Sequence, residues 1–89
     1  MARWALLSLD LDNNVSSKQR NTCYTELRNR KWVKLSKLTT VWQAKFINDP
    51  TETAIINTTK KDVRAATAKA NIQQYDAVVH VGASQPTRF

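Results

Sequence analysis

The chain has 89 residues, 42% of them apolar and 24% charged. That is material for one core, so a single domain over residues 1–89 is expected, and a two-domain enzyme or a globally disordered chain is not. Fourteen Lys and Arg against seven Asp and Glu leave a net charge of +7, which predicts an acidic partner: nucleic acid first, an acidic protein surface second, with plain solubility as the bland use of the same charge.

One Gly and two Pro leave no room for the Gly-rich loops that cradle nucleotides, so no organic cofactor is expected. A single Cys and a single His allow neither an internal disulfide nor a zinc-ligand spacing. The apolar stretch from Trp4 to Leu9 is cut by Ser8 and ended by Asp10. It is too short for a leader or a membrane span, and the expectation is a soluble, cytoplasmic protein with no membrane partner.

From Ala5 to Leu11 the apolar residues alternate. Ala5, Leu7, Leu9 and Leu11 fall on one side, and Leu6, Ser8 and Asp10 on the other, which is the period of a strand. Asp12-Asn13-Asn14 breaks it, and Ser16 with Gln19 three residues on is a capping box that opens a helix to about Lys31. That helix has a thin apolar stripe, Cys23, Tyr24 and Leu27, under a basic surface.

Trp32 to Ile47 turns aromatic and β-branched and fits one long strand or two short ones. Asn48-Asp49-Pro50-Thr51 is a turn, and the Thr/Ile-rich run Thr53 to Thr58 is read as a returning strand. Thr59 then caps a second helix to about Gln74, with Val63, Ala66, Ala70 and Ile72 inward. Ala77 to Val81 is the last strand, and residues 82–89 form a C-terminal tail. The sum is an α+β, ferredoxin-like βαββαβ sandwich, two helices on one face of a four-stranded antiparallel sheet.

The segment Leu7-Ser8-Leu9-Asp10-Leu11, a polar turn and a basic helix carrying Lys18 and Arg20, in a chain under a hundred residues, resembles the small CRISPR-associated endoribonuclease family, the lesser partner of the spacer-adaptation pair. It equally resembles the related endoribonuclease antitoxins of type V toxin–antitoxin systems. The resemblance implies a homodimer joined through the open sheet face or strand edges, with Asp10 of each subunit near the two-fold axis. It also implies that the tail ending in Arg88-Phe89 is laid against the second subunit. The strand pattern agrees in one respect: Trp4 and Leu6 would share the uncovered face with Ser8 and Asp10, which makes them the expected dimer interface.

Such a phosphodiesterase needs a carboxylate to hold a divalent metal, Mg2+ being the expected ion, with cations beside it. Asp10 is the candidate catalytic and metal-linked residue and Asp12 an assistant, although Asp is common at strand ends for the sake of the turn alone. Lys18, Arg20, Arg28, Arg30, Lys31 and Lys34, with Lys37 beyond them, are the candidate nucleic-acid contacts, for RNA or DNA. They ring the helix, so only a subset can face one way. Lys60 and Lys61, read as lying in the first turn of the second helix, oppose its dipole and hint at an external anion. Trp32, Trp42 and Phe46 are read as packing, His80 as an open-face polar residue and Cys23 as a buried small hydrophobe. Two non-catalytic alternatives stand beside the nuclease: an adaptor engaging a protein or duplex DNA, and a mobile-element protein that blocks an acidic host surface.

Overall fold

A computed structural model describes residues 2–35 and 40–87. The elements run β1 (Arg3–Leu11), α1 (Ser17–Asn29), β2 (Val33–Lys34), β3 (Val41–Phe46), α2 (Glu52–Lys69) and β4 (Tyr75–Gly82). All pairings are antiparallel and the strand order is β2-β3-β1-β4. Both helices cover one face, which gives the expected ferredoxin-like arrangement. Lys37 and the terminal Arg88-Phe89 lie outside the described residues.

The period of two in β1 decides which face is covered. Ala5, Leu7, Leu9 and Leu11 are buried, and the register places Trp42 opposite Leu7, Ala44 opposite Ala5, and Val79 and Val81 opposite Leu7 and Ala5. Cys23, Tyr24 and Leu27 of α1 and Ile55, Val63 and Ala66 of α2 close over them. Trp32 and Trp42 are almost wholly buried and Phe46 packs against the same cluster, so these rings serve the core. Cys23 is fully buried there, and burial pushes its thiol up to about 11, so it is protonated at neutral pH.

One expected element is corrected. Residues Thr53 to Thr58 are helix, the first third of α2. Thr51 is its N-cap, accepting a hydrogen bond from the Ala54 N–H at 3.1 Å, and Glu52 sits favourably in the first turn. The buried series Ile55, Thr59, Asp62, Val63 and Ala66 keeps helical spacing from that start, and this outweighs the weak strand preference of Thr and Ile. Thr59 is therefore a buried mid-helix residue whose hydroxyl donates to the Ile55 carbonyl. Lys60 and Lys61 stand mid-helix too, away from the dipole's positive end, so the anion hint drawn from their placement falls. The missing strand comes from the segment Trp32–Ile47, which divides into β2 and β3.

Each helix ends on a residue in the left-handed region, Lys31 (φ 77°) after α1 and Asn71 (φ 58°) after α2. The N–H of Trp32 reaches back to the Leu27 carbonyl at 3.0 Å and that of Ile72 to Thr67 at 2.8 Å, a Schellman closure at both ends. In a chain with one Gly, Lys and Asn occupy the position that Gly would take most easily.

Candidate nucleic-acid interface and the carboxylate cleft

The six expected basic contacts separate into three groups. Arg20, Tyr24 and Arg28 lie four residues apart on one stripe of α1, the flank facing the β2–β3 side. The Arg20 charge bears on the Tyr24 hydroxyl and partly offsets the effect of its burial. The Arg28 guanidinium stands over the Trp42 ring at 5.7 Å, and the Lys34 ammonium over the Tyr24 ring at 4.8 Å. The two rings meet edge to face at 5.1 Å. The charged groups themselves stand on the aromatic faces, which hold them in place, and both residues keep exposed surface. Burial raises the Tyr24 hydroxyl above its ordinary range, so the phenol is neutral and adds no negative charge to the stripe.

Arg30 is differently engaged. Its Nε donates to Glu26 Oε2 at 2.9 Å and its Nη1 to Asp62 Oδ1 at 3.1 Å. Asp62 also accepts from the Trp32 indole N–H at 3.0 Å, and Glu26 accepts from Lys69 Nζ at 3.1 Å. These bonds tie α1 to α2. The hydrogen bonds from Arg30 and then Lys69 hold the Glu26 carboxyl below the usual range. Lys18 and Lys31 are exposed. Lys18 borders the α1–α2 groove with Lys69, away from the Arg20–Arg28 stripe.

Asp62 is the residue that sequence reasoning missed. Its signal was present, because a lone Asp inside the apolar series of α2 is rarely buried without a cation and a second donor.

Asp10 points to the other side of the sheet. Residues 4, 6, 8 and 10 of β1 alternate with the buried ones, so Asp10 shares the open face with Trp4, Leu6 and Ser8. The Trp4 ring there is met by Lys45 Nζ at 5.9 Å. The register sets Asp10 directly opposite Asp76 of β4. The two belong to a cleft of about 510 Å3 also lined by Asp12, Asn13, Gln73 and Gln74. No Lys or Arg is among its described lining residues. Like charges facing across a strand pair repel, and a phosphate entering this cleft would meet three carboxylates and neutral side chains, with no described cation to offset its charge. Among the described residues no three His, Cys, Asp or Glu side chains converge to hold a metal ion. His80 is exposed on the open face opposite Leu6, and no helix among the described residues is long and apolar enough to cross a membrane.

Compared with protein-family models, with curated proteins and with solved structures, the chain finds no match in any of the three.

Proposed function

We propose that this is a nucleic-acid-binding protein that grips phosphates with the stripe Arg20, Arg28 and Lys34. The observation that carries the reading is the seating of Arg28 on Trp42 and of Lys34 on Tyr24, on a chain with a net charge of +7. Cations pre-positioned on a rigid helix and strand lose little side-chain freedom on binding, and the release of counterions from the nucleic acid supplies the free energy. Arg30 serves the fold instead, and Lys18 and Lys31 extend the charged surface without belonging to the stripe. A homodimer, as the family resemblance implies, would present the stripe twice.

A second reading, metal-dependent RNA cleavage at Asp10, has one observation in its favour. The Asp10–Asp76 pair offers two carboxylates to one cleft, and Mg2+ commonly takes one or two protein carboxylates and completes its shell with water and phosphate oxygens. Against it, the stripe lies on the helix side of the sheet and Asp10 on the open side. One experiment separates the readings: labelled single-stranded RNA and duplex DNA are mixed with wild type, with Arg28→Ala/Lys34→Ala and with Asp10→Asn, in Mg2+ and in chelator. Salt-sensitive binding lost in the double variant and kept in Asp10→Asn is expected. Metal-dependent cleavage that disappears in Asp10→Asn would make the protein a nuclease, and absence of binding at low salt would turn the charge toward an acidic protein.

A further inference from the structure

The two edges of the sheet are unequal. β2 closes one side with two residues. β4 ends the other with eight, Tyr75 to Gly82, and contains no Pro, Lys or Arg. Proteins ordinarily blunt so long an edge with such residues, with a bulge, or by covering it. Its free side can be assigned. The Asp12 N–H bonds the Gln74 carbonyl at 3.3 Å, so the even-numbered residues of β4 turn their N–H and C=O toward β1. Tyr75, Ala77, Val79 and Val81 turn theirs outward.

From this edge we infer that β4 pairs antiparallel with β4 of a second copy, across a two-fold axis normal to the sheet at Val78. Only an axis in that direction relates two antiparallel edge strands while keeping both sheets' helices on one side. Centred on Val78, the outward-turned groups pair Ala77 with the partner's Val79, and Tyr75 with the partner's Val81. On the helix side this makes apolar cross-strand pairs. On the open side Val78, 68% exposed in the single chain, meets its own copy. Asp76 falls opposite the partner's His80, and His80 opposite the partner's Asp76. These are non-hydrogen-bonded positions, where side chains approach most closely.

Charge selects this register over its neighbours. Centring on Val79 would leave Asp76 facing the partner's Gly82, and centring on Ala77 would set it against the partner's Val78. Only the Val78 register gives Asp76 an imidazole on the side away from Asp10, offsetting the like-charge contact within each chain. The rival occupant is an acidic strand from another protein, seated where Lys60 and Arg64 border the groove of about 170 Å3 between α2 and β4. Such a strand would make no use of the Asp76–His80 match, and the match favours the second copy. The β4 edge and the basic stripe are separate surfaces, so mass and RNA binding fail independently.

The test is sedimentation equilibrium with circular dichroism as the check on folding. The wild type is expected at twice 10.2 kDa. His80→Asp, which makes two Asp–Asp contacts, should weaken the dimer roughly tenfold or more. Asp76→His/His80→Asp, which rebuilds both pairs with their ends exchanged, should restore it. Ala77→Pro removes an outward N–H without touching the ladder to β1 and should give a folded monomer. Trp4→Asp, on the open face, should leave the dimer intact. A monomeric wild type overturns the inference and leaves the edge to an acidic strand. A dimer indifferent to His80→Asp, a double variant that stays monomeric, or a dimer abolished only by Trp4→Asp overturns it as well.

Discussion

Arg28 and Arg30 stand two positions apart at the end of α1, and a composition count treats them alike. Arg30 is spent inside the molecule, holding Glu26 and Asp62 and, through Asp62, the buried Trp32 indole. Arg28 lies over the face of Trp42 with no carboxylate among its described ion pairs. One has already exchanged its hydration for protein partners, and the other keeps its charge for something outside. The difference teaches that a net charge of +7 overstates what is concentrated at any one surface. The distinction is decided by the acids facing each helix flank, and Asp62 is the acid that decides it.

The largest effect should come from breaking the internal member of the pair. Asp62→Ala leaves the Trp32 N–H buried without a partner and leaves Arg30 held by Glu26 alone, costing about 1–3 kcal/mol in urea denaturation. At this chain length each kcal/mol moves Tm by about 4–8 °C. RNA affinity of the folded fraction should be unchanged or slightly raised, since Arg30 loses one of its two carboxylates and keeps the other. A large drop in affinity with intact stability would mean that Arg30 and Arg28 serve one surface after all.

The converse substitution is Arg28→Ala with Lys34→Ala. Stability should fall by only about 0.5–1 kcal/mol for each cation–π pairing removed. Affinity for single-stranded RNA should drop about tenfold, with the slope of log K against log salt reduced by about one for each phosphate no longer neutralised. Titrations at four or five salt concentrations read both quantities. An unchanged slope would take these two cations out of the interface.

Most of the fold was legible because period and capping are local. The β1 alternation, the Ser16–Gln19 box and the last strand are each readable in a window of a few residues. The stretch Thr53 to Thr58 was misread because its β-branched composition is local too, while the burial of Ile55 that organises it depends on packing against the sheet. The site was less legible for the same reason. The sequence shows Arg28, Arg30 and Asp62, but which cation meets the acid depends on how α1 lies against α2. Gln19, for example, fastens the start of α1 to the end of α2 through the Ala70 and Asn71 carbonyls at 3.3 and 3.1 Å. Nothing in either segment alone announces that bond.

Acid should loosen the internal network. The Glu26 carboxyl is lowered from 4.5 in the folded chain, so the unfolded chain binds its proton first on acidification. The stabilisation is therefore fully present above about 4.5 and is lost as pH falls through the lower, folded value. Glu26→Gln should flatten that limb of the stability curve, measured by denaturation from pH 6 to about 3.

The smallest effect concerns Lys31, which belongs to neither side of the comparison until it is tested. It holds the left-handed position that closes α1, where a side chain costs roughly 1–2 kcal/mol relative to Gly. Gly there loses part of that advantage to the entropy of a freer unfolded chain. Lys31→Gly should therefore stabilise the fold by less than about 1 kcal/mol in the same urea series. The Schellman bond from Trp32 to Leu27 would be kept. If Lys31 works with Arg28, this more stable variant should also bind RNA more weakly, with a salt slope lower by about one. Higher stability with an unchanged slope would place Lys31 outside the interface and confine recognition to the cations seated on Tyr24 and Trp42.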